Sequence, residues 1–423
     1  MKFKKGYSEK INTNFSIHIA EDNKEQLEAI INLNMEVHHE EILNTYIRRI
    51  FLEHPTRNDI MWLYIKDDEK NRIVSSLCLA PLKWQIENID LNICEMEFVG
   101  TIEKYRGRGF IRILNQLYER IMREREYIFS VIRGIPFYYR KLGYVFVSSL
   151  DERIQIPISN IPHSNFKDIK IRKANINDLN FIQSKYNEFY SDFYIFNKFD
   201  PDCFKFKYLN DIYNAEIRST YILEKDGKKS SYFSLGLSYD NQCYEIVGPN
   251  LNQKQMNTLL QYIIKIANYS KEDLLILNVS ETSSLFNHIK SLGGTPLSSY
   301  GWQVKIPDLS IFFQIMKEIL EERLVNSQYK NLNKVVRISD YQETVSLIIE
   351  NGIIEKFVLD KGYPDLQNTD LRIPNGFLYK LLLGDRTIEE INYILKDAIV
   401  KDSSESLIET MFPKKPSYFS SDM

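Results

Sequence analysis

The spacing of apolar and polar residues in the first part of the chain alternates between strand and helix periods. Alternation from Phe15 to Ala20 predicts a strand, and an apolar stripe at helical spacing predicts two helices between Asn23 and His54. Further strands are predicted at 60–65, 73–84 and 93–101. These elements indicate the start of a mixed α/β domain with a central sheet.

A long amphipathic helix is predicted to begin near Arg108, because apolar residues recur there at helical spacing. Its apolar positions are Phe110, Ile111, Leu114, Leu117, Tyr118, Ile121 and Met122. A strand at 127–132, a short helix at 136–142 and strands at 144–148 and 153–156 follow. The full order, β-α-α-β-β-β-α-β-α-β-β, predicts one domain over residues 1–160.

A second copy of this unit is indicated by a weak internal repeat. Residues 158–166 have the composition of a linker, and a new strand and helix start follow from Ile169. The segment 285–307 then resembles the segment 136–157. We therefore predict a second domain over residues 165–307.

The last part of the chain, residues 308–423, predicts a small third domain of the α+β type. Helices are predicted at 311–324, 376–383 and 387–395, with short strands near 335–339 and 355–359. Thr387, followed by Glu390, has the spacing of a capping box.

Charge and composition exclude several classes of protein. The 54 Lys and Arg residues nearly balance 57 Asp and Glu residues, for a net charge of -3, so no nucleic-acid partner is expected. The four cysteines form no CxxC pair, which argues against a disulfide framework or a zinc site. No run of about 18 apolar residues occurs, and the basic N-terminus lacks the apolar run of a signal peptide. We expect a cytoplasmic protein with no membrane partner.

The strongest chemical signal is the stretch from Glu97 to Arg112. A predicted strand leads into a turn rich in Gly and Arg, and a helix begins inside that turn. The free N–H groups of a helix start and its dipole favour an anion. Gly107 and Gly109 allow close approach of the backbone, and the neighbouring arginines add positive charge for a pyrophosphate.

Together with the segment Phe137–Tyr144, this turn resembles the GNAT superfamily of N-acetyltransferases. The resemblance implies that acetyl-CoA is the co-substrate, with the strand before the turn holding pantetheine and the turn holding the phosphates. It assigns these residues to the cofactor: Val99, Gly100, Thr101, Arg106, Gly107, Arg108, Gly109, Phe110, Ile111, Arg112, Gly134 and Ile135. It also implies that the Val99 N–H is the oxyanion donor.

One position narrows the resemblance to a branch of the superfamily. Members commonly have Gly or Ala where Ile111 stands here, and a bulky residue is typical of the three-domain enzymes related to the enhanced-intracellular-survival (Eis) proteins. That branch joins a GNAT domain, a degenerate GNAT-like domain and a sterol-carrier-like domain, which matches the predicted layout. The second copy has 247–252 at the turn and lacks the arginines, so we expect no CoA there. Related enzymes form hexamers, which implies a homo-oligomer.

The resemblance also implies residues for the chemistry. Tyr139 matches the family tyrosine that protonates the leaving thiolate, whereas Tyr138 is displaced by one position and is expected to point elsewhere. In the Eis relatives the terminal carboxylate enters the site, which implies Met423 as the base. Glu95 and Glu97 on the strand before the turn, or a water chain, are the alternatives.

We therefore expect an N-acetyltransferase acting on a primary amine, either a polyamine or aminoglycoside-like small molecule or a Lys side chain. The alternative is a non-catalytic protein that binds acyl-CoA or another ligand on the same fold. The run from His38 to Glu41 could suggest a metal, but adjacent histidines point to different sides of a helix, so no metal is expected. Aromatic residues that could line an acceptor pocket are Trp84, Tyr190, Phe193, Tyr194 and Phe196, although core packing is the favoured interpretation for each.

Overall fold

The structure, a computed structural model, describes residues 2–149, 152–163, 168–209, 218–237, 243–267, 269–270, 273–297 and 301–420. In the described residues the strands form three sheets, and the helices cover their faces. The fold is mixed α/β, as the sequence predicts. None of the helices in these ranges combines the length and apolar character that crossing a bilayer requires.

The predicted elements of the first domain are largely confirmed. They are β1 (Ser8–Lys10), β2 (Phe15–Ile19), α1 (Lys24–His38), α2 (Leu43–Glu53), β3 (Met61–Asp67), β4 (Arg72–Ile86), β5 (Ile89–Thr101), α3 (Phe110–Glu124), β6 (Ser130–Ile132) and β7 (Val145–Ser149). The helix expected near Arg108 begins two residues later, because Gly109 is its N-cap and has a left-handed conformation. The helix expected at 136–142 is a single 3-10 turn, Tyr139–Leu142.

The second part of the chain repeats the strand and helix alternation. Its elements are β8 (Glu152–Pro157), β9 (Ile169–Lys173), α4 (Leu179–Tyr190), β10 (Ile195–Asn197), α5 (Pro201–Phe204), β11 (Arg218–Lys225), β12 (Lys228–Leu237), β13 (Tyr244–Val247), α6 (Gln253–Ala267), β14 (Leu274–Val279), α7 (Ser284–Ser291), β15 (Thr295–Pro296) and β16 (Gly301–Lys305).

The third part contains an antiparallel hairpin, of which the sequence pattern predicted only the second strand. Its elements are α8 (Leu309–Val325), β17 (Lys334–Ser339), β18 (Glu343–Glu350), β19 (Ile353–Lys361), β20 (Leu371–Arg372), α9 (Asn375–Leu382), α10 (Ile388–Ile394), β21 (Ile399–Val400) and α11 (Glu405–Met411). The strand β18 was not predicted. The capping box is confirmed, since the Thr387 side chain accepts from the Glu390 N–H and the Glu390 carboxylate accepts from the Thr387 N–H.

The first two sheets exchange a strand, which the sequence did not indicate. The first sheet has the order β1-β2-β3-β4-β5-β6-β16-β7, with β10 added beside β4. The second has the order β15-β8-β14-β13-β12-β11-β9, and the third β19-β18-β17-β20-β21. Strand β8, expected to complete the first domain, therefore lies in the second sheet, and β16 from the second copy lies in the first. The domain boundaries proposed from sequence stay a prediction.

The hydrophobic cores follow this exchange. One core lies between the first sheet and helices α1, α2 and α3. Another joins the far end of the first sheet to the third part of the chain, and Trp84, Trp302 and Phe312 are buried in it together. Because that core is shared, the third part is held against the first sheet by apolar burial, the main stabilising contribution in folded proteins.

The C-terminal tail returns to the first sheet after α11. The Tyr194 N–H donates to the Pro416 carbonyl (2.7 Å), and the Tyr418 N–H donates to the Ile195 carbonyl (2.8 Å). Phe196 and Tyr418 form a parallel bridge, so the tail adds to the edge of β10 as a short strand. The tail is thereby anchored on the first sheet.

Candidate active site

The first sheet opens between β5 and β6. The two strands pair in parallel only at Cys94 with Ser130 and Glu95 with Val131. Beyond this point β5 continues to Thr101, and no strand in the described part of the chain pairs with it on that side. The resulting gap exposes backbone groups of β5, which are obligatory hydrogen-bonding groups.

A β-bulge lies inside this open stretch of β5. Ser76 pairs with Gly100 and Cys78 pairs with Glu97, so Leu77 faces two residues, Phe98 and Val99. Phe98 has a left-handed conformation, with φ of 50°. A bulge takes one residue out of the ladder and redirects its groups. The backbone here is shaped to present Val99 to the gap.

The turn after β5 leaves its amide groups free. Helix α3 begins without a side-chain cap, and no backbone N–H from Gly107 to Arg112 donates to a described residue. Gly107 and Gly109 have φ of +79° and +77°, a region that residues with a side chain rarely adopt. The N-terminus of α3 therefore points unpaired donors at the gap, as an anion site requires.

Positive charge surrounds these amides. Arg106, Arg108 and Arg112 form no ion pair with a described carboxylate. The Arg108 guanidinium carbon lies 5.4 Å from the ring centre of Tyr105, and the Arg106 Nε–H donates to the Thr101 carbonyl at 3.2 Å. Lys141, also without a described carboxylate partner, adds a cation on the other wall. The electrostatics favour a polyanion.

The gap and the turn form one cleft with a volume of about 910 Å³. Eleven of the predicted cofactor residues line it, from Val99, Gly100 and Thr101 through the turn at 106–112 to Ile135. The other predicted residue, Gly134, lies behind the ring of Tyr139 and does not line it. Five residues of the wall were not predicted from the sequence: Val37, Tyr105, Tyr138, Lys141 and Leu142. The expectation that Tyr138 points elsewhere was wrong, because it lines the same cleft as Tyr139.

Tyr139 occupies the wall of this cleft opposite β5. Its ring is buried and rests directly on Gly134, where an added Cβ would lie 2.1 Å from the ring atoms Cδ2 and Cε2. The rings of Tyr138 and Tyr144 contact it edge-on at 5.1 and 6.2 Å between centres. Tyr138 also lines the cleft, and partial burial raises the pKa of its hydroxyl. Packing on three sides gives Tyr139 one defined position.

Glu95 and Glu97 share a single arginine. The Arg133 Nε–H donates to Glu95 (3.0 Å), and its NH2 group donates to Glu97 (2.7 Å). Glu95 is fully buried, whereas Glu97 is partly exposed. Burial alone would lower the pKa of Arg133, but the two carboxylates raise it well above its usual value. One guanidinium therefore holds two carboxyl groups in this cluster.

The histidine run lies at the end of α1, where His38 is the last helical residue and His39 is the C-cap. No group of three or more His, Cys, Asp or Glu in the described ranges could hold a metal ion. The Nε2 atom of His38 is buried without a hydrogen-bond partner in those ranges, 3.5 Å from the position of a Cβ added to Gly100. Burial lowers the pKa of His38, which favours the neutral imidazole.

The tail approaches the site, but its predicted base lies outside the described residues. Residues 421–423, including Met423, are not described. The last described carbonyl, that of Ser420, accepts a hydrogen bond from the Trp84 indole at 3.0 Å. Trp84 contacts Trp302 (5.9 Å between ring centres), and the Arg133 guanidinium carbon lies 5.4 Å from the Trp302 ring. Trp84 and Trp302 therefore connect the last described residue of the tail to Arg133.

The aromatic residues considered for an acceptor pocket have different environments. Trp84 is fully buried in the core. Tyr190 lines a small aromatic cavity, and Phe193, Tyr194 and Phe196 line a separate polar cleft of about 830 Å³. The structure does not bring the five together in one pocket, so the core interpretation holds for Trp84.

In the corresponding turn of the second half, side chains accept hydrogen bonds from two of the backbone amides. The Leu251 N–H donates to Ser284 Oγ (3.1 Å), and the Asn252 N–H donates to Gln255 Oε1 (2.9 Å). Asn250 Oδ1 in turn accepts from the Ser284 N–H (2.8 Å). A Cβ on Gly248 would lie 3.2 Å from the backbone of Phe233, so the adjacent strand fills the space. Side chains and backbone of the second half therefore occupy the space above this turn.

Comparison with known proteins agrees with this geometry. Residues 18–147 match the family described as acetyltransferase (GNAT) domain. That segment covers the open gap, the bulge, the turn and Tyr139. No curated protein matches the sequence of the chain.

Solved structures share the fold over nearly the whole chain. A GCN5-related N-acetyltransferase from Anabaena variabilis covers 95% of this chain and 98% of its own, with 15% identity and a TM-score of 0.67. Eis1 from Mycobacterium abscessus has the same coverage, with 10% identity and a TM-score of 0.62. N-myristoyltransferase from Saccharomyces cerevisiae, solved with bound myristoyl-CoA, covers 70% of this chain and 79% of its own, with 13% identity and a TM-score of 0.51.

Proposed function

Because residues 18–147 form a GNAT acetyltransferase domain, we propose that this protein transfers the acetyl group of acetyl-CoA to a primary amine. The observation that carries the proposal is the cleft. Backbone amides without an acceptor and arginines without a carboxylate partner in the described residues line it together with Tyr139. A CoA molecule placed there has its pyrophosphate on the start of α3 and its pantetheine arm along the open edge of β5. The myristoyl-CoA bound by a protein of related fold supports the use of an acyl-CoA.

In the proposed reaction the neutral amine attacks the thioester carbonyl directly. The carbonyl oxygen becomes an oxyanion, and the Val99 N–H beside the bulge donates to it. The tetrahedral intermediate then collapses, the carbon–sulfur bond breaks, and CoA leaves as a thiolate. The attacking nitrogen loses one proton to a base, so the products are an amide and CoA.

Tyr139 is the proposed acid for the leaving thiolate. A phenol with an ordinary pKa of about 10 can protonate a thiolate whose thiol has a pKa of about 8.5 when the two are held together. The buried ring, resting on Gly134, supplies that fixed position. Tyr138 lines the same cleft and serves as the matched comparison.

Two carboxylates are candidates for the base. Glu95 is buried under Arg133, which makes Glu97 the accessible member of that pair. The α-carboxylate of Met423 is the other candidate, supported by the course of the tail to Ser420 beside Trp84. The partly exposed carboxyl group of Glu97 also suits an amine acceptor, so we propose a polyamine, an aminoglycoside-like amine or a Lys side chain.

The test compares thiol release from acetyl-CoA in the presence of a panel of polyamines. We expect Tyr139→Phe to lower kcat about 100-fold, the usual size of general acid catalysis, with unchanged affinity for CoA. Tyr138→Phe is the control and is expected to keep kcat within about threefold. Glu97→Gln and a chain extended by one glycine after Met423 separate the two bases, because each removes or displaces only one carboxylate.

Two results would contradict parts of this proposal. CoA binding without thiol release in the presence of any amine would identify the protein as a non-catalytic acyl-CoA-binding protein on the same fold. Release at the normal rate from Tyr139→Phe would show that another group protonates the thiolate.

A further inference from the structure

The exchanged strand β16 contributes a buried side chain to the first domain. Gln303 is almost fully buried, and its Nε2 amide donates to the Gly134 carbonyl at 2.6 Å. Its backbone pairs with Ile132 of β6 on one side and with Phe146 of β7 on the other. Gln303 therefore enters the site from the second half of the chain.

The segment that receives this hydrogen bond is held through the Arg133 side chain, but its backbone has few contacts. Residues 133–135 follow β6 and belong to no helix or strand. No other hydrogen bond from a described residue reaches their backbone. Phe137, just beyond, has a left-handed φ of 70° and is exposed. A short irregular segment of this kind has many accessible conformations unless a contact selects one.

The position of Gly134 determines the position of the Tyr139 ring. An added Cβ on Gly134 would overlap the ring, so the backbone of Gly134 is the surface on which the ring lies. A displacement of the Gly134 backbone would therefore remove the surface that supports the ring on this side. Displacement of a catalytic group by about 1 Å can lower a rate about 100-fold.

We propose that Gln303 is a positioning residue for acetyl transfer, which holds the Gly134 carbonyl and so fixes the ring of Tyr139. This inference rests on the proposed function, in which the Tyr139 hydroxyl protonates the thiolate. Gln303 touches neither substrate nor cofactor, since it does not line the cleft. Through Gln303 the second half of the chain contributes to the position of the catalytic tyrosine, although that half lacks the arginine-rich turn.

The neighbouring residue extends the same contact. Trp302 lies over the Arg133 guanidinium, and Arg133 precedes Gly134. Two successive residues of β16 thus contact two successive residues of the first domain. This arrangement explains how a strand from the second copy can brace both the tyrosine and the carboxylate cluster.

The experiment is a double-substitution cycle with Gln303→Met and Tyr139→Phe in the full chain. Methionine has nearly the size of glutamine but no amide donor. We expect Gln303→Met to lower kcat about tenfold, with KM for acetyl-CoA unchanged. In the double variant kcat should equal that of Tyr139→Phe alone, because Gln303 acts through Tyr139.

Two further variants control for stability. Gln255, a buried glutamine of the second half, donates to Ser230 Oγ at 3.2 Å, far along the chain from the site. Gln255→Met should leave kcat at the wild-type value. Gln303→Asn keeps the amide but is one methylene shorter, so it should lower kcat as Gln303→Met does. If Gln303→Met does not fold, Gln303→Asn replaces it in the test.

The outcomes separate the two proposals. A reduced kcat in Tyr139→Phe with a wild-type kcat in Gln303→Met and Gln303→Asn overturns the role of Gln303 alone. Additive losses in the double variant also overturn it, because Gln303 would then act on another group. A wild-type kcat in Tyr139→Phe overturns the role of Tyr139 and this inference with it, whereas CoA binding without thiol release from any amine overturns acetyl transfer itself.

Discussion

Two turns occupy corresponding places in the two halves of this chain. The amides of the first turn from Gly107 to Arg112 donate to no described residue, whereas two amides of the second turn donate to side chains. Each follows a strand that pairs in parallel with the next strand of its sheet, β5 with β6 and β13 with β14. In the first turn, the amides at the start of α3 face an open cleft. In the second, Ser284 and Gln255 accept the amide protons.

The wall opposite each turn differs in the same way. When the repeated segments are aligned at Phe137 and Phe286, His288 corresponds to Tyr139. Tyr139 lines the open cleft, whereas the His288 Nε2 is hydrogen-bonded to Asn257 Oδ1 at 2.7 Å. Strand, turn and helix in this order are therefore insufficient for an anion site. The donors must also be left unpaired and the space above them empty.

The largest effect is expected when the first turn is made unable to hold its conformation. Gly107→Val with Gly109→Val places β-branched residues at positive φ, which costs about 1–2 kcal/mol for each residue. It also misdirects amides whose bonds to an anion contribute about 1.5–3 kcal/mol each. We expect the Kd for CoA, measured by calorimetry, to rise at least about 100-fold.

A matched glycine tests whether this effect belongs to the turn. Gly227 also has a positive φ, +74°, and lies in the hairpin between β11 and β12. Gly227→Val should impose similar backbone strain and leave the Kd for CoA unchanged. Equal affinity in the wild type and in the double glycine variant would remove the distinction between the two turns.

A smaller effect is expected from removing the charges of the first turn. Arg106→Ala and Arg108→Ala should each raise the Kd for CoA about tenfold, because one charge-assisted hydrogen bond contributes about 1.5 kcal/mol or more. The increase should shrink at high salt, where screening weakens the wild-type interaction as well. Titrations at two salt concentrations measure both quantities.

The second half supplies the control for charge. Lys254 stands at the start of α6 and is exposed, as Arg108 stands near the start of α3. Lys254→Ala should not change the Kd for CoA at either salt concentration. A loss equal to that of the arginine variants would show that overall charge, rather than the first turn, attracts CoA.

The smallest effect is expected when the second turn is opened. Ser284→Ala removes the acceptor of the Leu251 N–H, so the free energy of unfolding should fall by about 1 kcal/mol, as measured by denaturant titration. We expect one CoA per chain in the wild type and in this variant, because the turn lacks arginines and its space is filled. A second bound CoA in either protein would contradict that expectation.

Local patterns were reliable where a segment's own residues decide its structure. The apolar stripe of α3, the strand–turn–helix order and the capping box at Thr387 depend on near neighbours, and the structure agrees with each. The prediction failed for the short helix before Gly143, which is only a 3-10 turn. It also missed β18, since its apolar run resembles the neighbouring strand β19.

Contacts between distant parts of the chain could not be predicted in this way. Strands β8 and β16 have similar apolar patterns, and nothing in either indicates which sheet it joins. The pairing of Arg133 with two acids of β5 and the bond from Gln303 to Gly134 follow from that exchange and from sheet register. Lys141 and Val37 enter the cleft from other elements for the same reason.

By itself the sequence determined the turn at 106–112, because glycines at positive φ, arginines and a helix start are encoded within one short segment. It also indicated Tyr139 as a residue of the site, and it showed that the second turn has no arginines. Only the tertiary structure decided which turn stays open, since Ser284 and Phe233 reach the second turn from other elements, whereas Gln255 caps it locally. Hydrogen bonds and close packing are satisfied in space, and sequence distance does not reveal which groups will meet.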